Sequence, residues 1–446
     1  MEKLYMPDGA RFIIDTLQKN GYEAYIVGGC VRDSVLGKTP NDWDITTSAK
    51  PQQIKELFKR TVDTGIMHGT VTVLIDKEGY EVTTYRVDGV YEDHRRPKEV
   101  SFTASLTEDL QRRDFTINAM AYNDSYGIVD IFGGREDLKN GVIKCVGEAS
   151  KRFDEDALRI LRAVRFSAQL GFEIEESTKT AMKNQAKYLK DISAERIQVE
   201  LTKLITSQHP DRLVWAYEMG LTAIILPEFD EMMRTMQNNP YHIYNVGLHT
   251  IKAMENIPPL PKLRYTALLH DIAKPKTKTT DEDGVDHFFG HQVLGAEMAR
   301  KVLRRLKLDN DTIGYVTKLI FYHDYGISDN ISAKAFRRFL NKLGTENFDG
   351  YISVRKADMA GQSDYRLEER IENINRTIEM YNEAISNSYC LRLNDMVIGG
   401  RELIELGMKP GREIGDILNK LFEMVLDDPE KNTKEILLKK AKEMLE

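Results

Sequence analysis

Tyr25-Ile-Val-Gly-Gly-Cys-Val-Arg-Asp33, followed after a short loop by Asn41-Asp-Trp-Asp-Ile45, is the stretch around which the amino-terminal part of the chain is organised. Three apolar residues running into a Gly-Gly turn read as a buried strand. With no Cβ in the way, the backbone N–H groups of Gly28 and Gly29 can approach an anion such as a phosphate. Period-two alternation then puts Asp42 and Asp44 on one face of a second strand, with Trp43 and Ile45 on the other. Two carboxylates so close resist joint ionisation unless a cation lies between them, so the pattern asks for a divalent metal. Taken alone, Asp-x-Asp reads equally as a capped turn with two solvated aspartates.

Working outward, Thr70–Asp76 and Tyr80–Val87 are β-rich runs joined in a hairpin, with Glu81 on the face of Thr83 and Tyr85. Asp88-Gly-Val-Tyr-Glu-Asp-His-Arg-Arg-Pro97 is polar, punctuated by glycine and proline, and doubly basic through Arg95 and Arg96; it reads as a loop. Ser105-Leu-Thr-Glu108 is a capping-box pattern, expected to open a helix carrying Arg112 to Tyr122. A short strand, Gly127 to Phe132, ends at Gly133-Gly134, and beyond about Ser150 helical periodicity takes over. Helices are expected from Glu155 to Phe166, from Ala194 to Thr206, and from Arg366 to Tyr389.

The 446 residues leave room for several domains, and a hydrophobic fraction of 41% is that of an ordinary soluble chain. No apolar run approaches bilayer-spanning length, and Met1-Glu-Lys-Leu-Tyr lacks the basic and apolar regions of a secretory signal, so a cytoplasmic protein without membrane contact is expected. Cys30, Cys145 and Cys390 are too scattered for a disulfide framework or a CxxC knot. The net charge of -7 excludes a globally basic nucleic-acid coat but leaves room for local patches such as Arg159, Arg162 and Arg165. The oligomeric state is not legible in the sequence.

Two further constellations carry chemistry. In Arg112-Arg-Asp-Phe-Thr-Ile-Asn118, arginines that suit phosphate oxygens stand beside Asp114, an acceptor for ribose hydroxyls, with Asn118 one helical turn on. In Glu155-Asp-Ala-Leu-Arg159, the i,i+3 spacing places Asp156 and Arg159 side by side on one helix face, a fixed edge of donors and acceptors that matches cytosine or adenine and mismatches uracil and guanine. Each stretch alone also fits a surface salt bridge.

Gly28-Gly29-x-x-Arg32-Asp33, Asp42-x-Asp44, Arg112-Arg-Asp-Phe-Thr-x-Asn118 and Glu155-Asp-x-x-Arg159, in this order, resemble class II tRNA nucleotidyltransferases, the CCA-adding enzymes, whose head bacterial poly(A) polymerases share. The resemblance implies a multidomain α+β protein: a small mixed-sheet catalytic palm over residues 1–135, then an all-helical neck (136–208), body (209–365) and tail (366–446), the tail binding tRNA. It implies that Asp42 and Asp44 hold two Mg2+ ions, with Glu81 the third catalytic carboxylate. Gly28, Gly29, Arg32, Arg113, Asp114, Asn118 and Arg162 would bind the nucleotide, and Asp156 and Arg159 would select CTP and ATP. Asp88, Arg95 and Arg96 would belong to a flexible loop whose completeness favours an enzyme able to add A. Poly(A) polymerases usually carry Arg-Arg-Phe where this chain has Gly65-Ile-Met-His-Gly-Thr70. An enzyme adding only the terminal A, a poly(A) polymerase, and a phosphohydrolase whose head merely grips RNA are the competing readings.

Five of the nine histidines lie between His249 and His323, a concentration that points to a second site. His249, His270-Asp271, His291, His323-Asp324 and Asp358 offer imidazoles and carboxylates suited to a transition metal or Mg2+. His249, His270-Asp271 and Asp358 resemble the ligand set of HD-domain phosphohydrolases, and His291 and His323 the extra histidines that some of them place around a second metal. That resemblance implies a phosphohydrolase activity or a scaffold that has lost it. Lys274, Lys276 and Lys278 follow, as phosphate contacts or as a solvated run.

Overall fold

The computed structural model describes residues 3–88, 91–92, 96–97, 100–325 and 331–445. Arg95 lies outside the described residues, as do the side chains of Asp88 and Arg96. The chain divides into two compact units, Met1–Pro227 and Glu228–Glu446. The division falls inside the segment read from sequence as the body.

The first unit is built on a seven-stranded sheet. Its strands are β1 (Ala24–Val27), β2 (Asp44–Thr47), β3 (Thr61–Gly65), β4 (Thr70–Ile75), β5 (Glu78–Thr84), and the hairpin Met120–Asn123 with Gly127–Asp130. Across the sheet the order is Gly127–Asp130, Met120–Asn123, β1, β2, β5, β4, β3. The β2–β5 pair is parallel, with Asp44 opposite Glu81, and the other pairings are antiparallel. Every residue of β1 is buried, as a run of apolar residues covered on both faces requires. β4 and β5 turn through Asp76 and Lys77, both at positive φ, the backbone that a two-residue hairpin of right-handed twist demands.

Two expectations of local structure are corrected. The helix capped by Ser105, whose side chain accepts from the Glu108 N–H, ends at Gln111. Thr116–Asn118 is a single 3-10 turn and Met120–Asn123 is a fully buried strand. Residues buried on all sides carry no period by which strand and helix can be told apart. The helix expected from Glu155 is also broken: Ala149–Glu155 ends at Asp156, which is extended (φ -145°, ψ 102°), and Leu158–Leu170 begins anew. Asp88 to Pro97, expected as a loop, contains backbone ladders in its described part, Arg86–Asp88 with Val100–Phe102 and Tyr91–Glu92 with Arg96–Pro97.

The Ala194–Ile205 helix is locked to Leu158–Leu170 by a buried pair in which Arg165 Nε donates to Glu200 at 2.7 Å. In the second unit, helices Val246–Glu255, Pro261–Leu269, His291–Arg305, Asn310–Tyr322 and Phe348–Ala360 carry or flank the histidines. Leu367–Ser386 follows as the charged helix expected, and Leu403, Leu421, Val425 and Leu437 centre a separate core nearer the carboxyl end. Cys30, Cys145 and Cys390 are buried free thiols.

Candidate functional site

The end of the central strands where β1 runs into the Gly29–Val35 helix carries the first site. Asp42 precedes β2 rather than lying within it, and Asp44 is the strand's first residue. The alternation survives in exposure: Asp42 and Asp44 face solvent while Ile45 is fully buried. The parallel register brings the exposed Glu81 beside Asp44. The protein packed around Asp44, together with the charges of Asp42 and Glu81, pushes its carboxyl up to about 6 against the pull of Arg113. Gly28 contributes room rather than a donor. Its N–H is spent on the Met120 carbonyl at 3.1 Å, its φ is +80°, and a Cβ there would come within 3.0 Å of Arg113 Nη1.

Behind these strand ends lies a network of half-buried ions centred on the buried Asp114. Asp114 Oδ1 accepts from the Phe115 N–H at 2.9 Å and from Asn118 Nδ2 at 3.2 Å, and Oδ2 accepts from Arg162 Nε at 2.7 Å. Arg32 donates to Asn118 Oδ1 and to Asp33, both at 2.8 Å. Arg32, Asp114, Asn118 and Arg162 are thus joined in one network in which Arg32 acts as a brace, and Arg113 stands apart from it beside Gly28. Burial works against the Asp114 charge, but Arg162 and the Asn118 hydrogen bond outweigh it and hold the carboxyl at about 2. Against an unfolded value of ~3.9, ionised Asp114 contributes on the order of 2 kcal/mol of stability; this is complete above the unfolded value and lost as pH falls toward 2. Asp114→Asn is therefore expected to lower stability at pH 7 by at least that amount and by visibly less at pH 3, compared in urea melts.

Sequence reasoning missed Asp109, which is fully buried and supports both arginines of the motif. Arg112 donates to its Oδ1 from Nε (3.0 Å) and Nη2 (2.7 Å), Arg113 Nη2 donates to Oδ2 at 3.3 Å, and Thr46 Oγ1 donates to Oδ2 at 3.1 Å. Burial disfavours the ionised form, yet Arg113 and Arg112 bring the pKa below the ordinary carboxylate value. The i,i+3 and i,i+4 spacings from Asp109 to these arginines were the signal available.

The expected base-reading edge is assembled differently from the single helix face predicted. Because the helix breaks at Asp156, its carboxylate caps the next helix by accepting from the Leu158 N–H at 3.1 Å, and it receives Arg196 in bidentate fashion, Nη1 to Oδ1 at 3.2 Å and Nη2 to Oδ2 at 2.7 Å. Arg159, nearly buried, donates to Glu155 at 2.6 Å and to the carbonyls of Arg152 and Arg112. Arg196 and Glu200, four apart on the Ala194–Ile205 helix, are further residues that sequence reasoning did not single out.

The second cluster is tighter. Among the described residues, His249, His270 and Asp358 form one group whose ligand atoms lie within 4.8 Å of one another, and Asp271, His291 and His323 form another. Each imidazole directs Nδ1 at a backbone carbonyl: His249 to Gly361 (3.0 Å), His270 to Ala267 (2.8 Å), His291 to Phe288 (2.8 Å), His323 to Ile320 (2.6 Å). With Nδ1–H donating there, the Nε2 lone pairs turn inward, the orientation that metal-ligating histidines take. Burial opposes every charge in the cluster, yet the imidazoles and Lys274 hold Asp271 well below its ordinary value. Of the three lysines that follow, Lys274 is buried and pairs with Asp271, while Lys276 and Lys278 are exposed and pair with Glu231 and Asp286.

A mixed sheet that sets Asp42, Asp44 and Glu81 together beside arginines braced by Asp109 and Asp114 is the frame of a nucleotidyltransferase head. Residues 24–144 match the poly A polymerase head domain family, 171–233 the RNA- and SrmB-binding site of polymerase A, and 287–441 the tRNA nucleotidyltransferase domain 2 family. A CCA-adding enzyme of Lactobacillus helveticus is 36% identical over 96% of this chain and 94% of its own length, and one from Lactiplantibacillus plantarum is 50% identical over 70% and 69%. The crystal structure of the Bacillus stearothermophilus CCA-adding enzyme in complex with CTP superposes with a TM-score of 0.73 at 29% identity, covering 99% of this chain and 98% of that one. The Thermotoga maritima CCA-adding enzyme complexed with tRNA shares the fold (TM-score 0.62, 22% identity, 100% and 97% covered). The chain belongs to the CCA-adding enzyme family.

Proposed function

We propose that the protein adds CCA to the 3′ end of tRNA, taking CTP and ATP and releasing pyrophosphate without a nucleic-acid template. The observation that carries this reading is the register that sets Asp44 beside Glu81, with Asp42 and Arg113 adjoining. These crowded carboxylates, with Asp44 pushed up to about 6, are a donor set that gains from divalent cations, and Mg2+ is the ion that nucleotidyl transfer on such oxygens calls for. Two Mg2+ ions held by Asp42 and Asp44 would supply activation of the 3′-hydroxyl and neutralisation of the leaving pyrophosphate. Arg113, held by Asp109, presents its guanidinium over the space left by Gly28 for the triphosphate, and Asp114 with Asn118 offers acceptors to the ribose. Asp156 and Arg159 select the base. On this reading the protein acts in the cytoplasm, where tRNA, CTP and ATP meet. Among the described residues no helix is long and apolar enough to cross a membrane.

Transfer RNAs ending before CCA, after C and after CC, supplied with CTP, ATP or both and sequenced at their 3′ ends, test the reading. Completion of CCA on all three supports it. Extension of the CC-ended tRNA alone would identify an A-adding enzyme, and long A tails a poly(A) polymerase.

The inward-facing imidazoles and carboxylates of the second unit favour a second reading for that site: a metal-dependent phosphohydrolase. Asp271, Asp324 and Asp358 line a cavity of about 630 Å³ that Lys274, Arg366 and Arg370 also line, a setting for a phosphate ester. Release of phosphate from phosphomonoesters or opening of 2′,3′-cyclic phosphates, dependent on added Mn2+ or Zn2+ and lost in His270→Ala, tests it.

A further inference from the structure

We infer that Asp324 is a metal ligand, and that with it the buried cluster forms two like ion sites, each of two imidazoles and one terminal carboxylate, joined by Asp271 as a shared bridge. The inference rests on the second reading above and assigns a ligand that the resemblance did not supply.

The argument is one of distances. Around the first position, His249 Nε2 and His270 Nε2 are 3.2 Å apart, Asp358 Oδ1 lies 2.8 and 3.6 Å from them, and Asp271 Oδ2 lies 3.5 and 3.3 Å from them. Around the second, His291 Nε2 and His323 Nε2 are again 3.2 Å apart. Asp324 lies 3.0 Å from His291 through Oδ2 and 3.4 Å from His323 through Oδ1, and Asp271 Oδ1 lies 3.5 and 3.9 Å from them. Ligands bonded to one ion at ~2.1 Å sit ~3.0 to 3.4 Å from each other in octahedral or tetrahedral arrangements. Both sets fall near that spacing; Asp358 faces its two imidazoles through one oxygen, and Asp324 faces its two with one oxygen each.

The bridge has its own signature. Asp271 is buried and paired with Lys274 through Oδ2 at 2.7 Å, and its two oxygens divide between the imidazole pairs, Oδ2 nearest His249 and His270 and Oδ1 nearest His291 and His323. The facing Nε2 lone pairs repel unless a cation or proton lies between them. Charge agrees as well: three carboxylates against two divalent ions leave +1, and Lys274 adds another, which suits a doubly charged phosphate ester entering the cavity. Two nitrogens and two oxygens at each position suit first-row transition ions better than Mg2+, which prefers oxygen.

The test uses the full chain carrying Asp42→Ala and Asp44→Ala, so that the head retains no ion, loaded with Mn2+ and desalted. Two equivalents per chain by mass spectrometry and an exchange-coupled electron paramagnetic resonance signal are expected. Adding Asp324→Ala should leave one equivalent and the six-line signal of an isolated ion. Asp324→Asn, which keeps the shape and removes the charge, should weaken the second equivalent at least tenfold; it decides the matter should the alanine variant lose its far-ultraviolet circular dichroism. Two tightly held, coupled ions in both Asp324 variants would overturn the inference while leaving a metal site in place. No retained Mn2+, Zn2+ or Fe2+ in the parent would overturn the second reading, and the inference with it.

Discussion

Asp42→Ala and Asp44→Asn are each expected to lower CTP incorporation into tRNA lacking CCA by about a thousandfold or more, ~4 kcal/mol in the barrier, while leaving the fold intact. The effect should fall on kcat, because the triphosphate is still met by Arg113 while the reacting oxygens lose the charge opposite them. Stability should move the other way. Both side chains face solvent, and neither supports another residue as Asp109 or Asp114 does. The raised pKa of Asp44 means that its ionised form is disfavoured in the folded chain. Without Mg2+ at pH 7, Asp44→Asn should therefore melt at or above the wild-type temperature, and the advantage should vanish below about pH 4, where the carboxyl is protonated in folded and unfolded chains alike. Added Mg2+ should raise the melting temperature of the wild type more than that of either variant. Near wild-type incorporation by Asp42→Ala would remove the aspartate pair from the mechanism.

The head was legible in the sequence because its motifs are local. Gly28-Gly29 and Asp42-x-Asp44 each lie within a few residues, and the hairpin of β4 and β5 announces itself by alternation and a turn. What escaped was set by tertiary burial. Met120-Ala-Tyr-Asn123 is covered on both faces, so neither a two-residue nor a 3.6-residue period survives to separate strand from helix. Asp109 looked like one more acid in a capped helix; only the fold shows it fully buried beneath two arginines. The break at Asp156 has no glycine or proline to announce it: this aspartate ends one helix and caps the next from its own side chain. In the second unit the reverse holds. The histidines stand out by their concentration alone, but the sharing of Asp271 between two groups depends on helices far apart in sequence.

The break at Asp156 changes how base choice is expected to fail. Were Asp156 and Arg159 an exposed ion pair on one helix, neutralising either would cost a few tenths of a kcal/mol and little else. Instead each is anchored separately, Asp156 by both terminal nitrogens of Arg196 and Arg159 by Glu155 and two backbone carbonyls. A carboxylate has about four lone-pair sites, so those anchors leave Asp156 able to accept from the exocyclic amine of cytosine or adenine. Asp156→Ala removes that acceptor and leaves the Arg196 guanidinium facing the pocket. The kcat/KM for CTP and ATP should then fall by about 10- to 100-fold, the 1 to 3 kcal/mol of a bidentate base contact, and the preference for CTP over UTP should shrink by a similar factor. Arg196→Ala leaves the acceptor in place but frees it to rotate. It should lower selectivity among the four nucleoside triphosphates more than it lowers the rate with CTP, and Arg196→Lys, which supplies charge without the fork, should restore little of it. Competition assays with paired triphosphates on tRNA ending before CCA measure both ratios. An Asp156→Ala enzyme that still rejects UTP as the wild type does would move base selection away from this break.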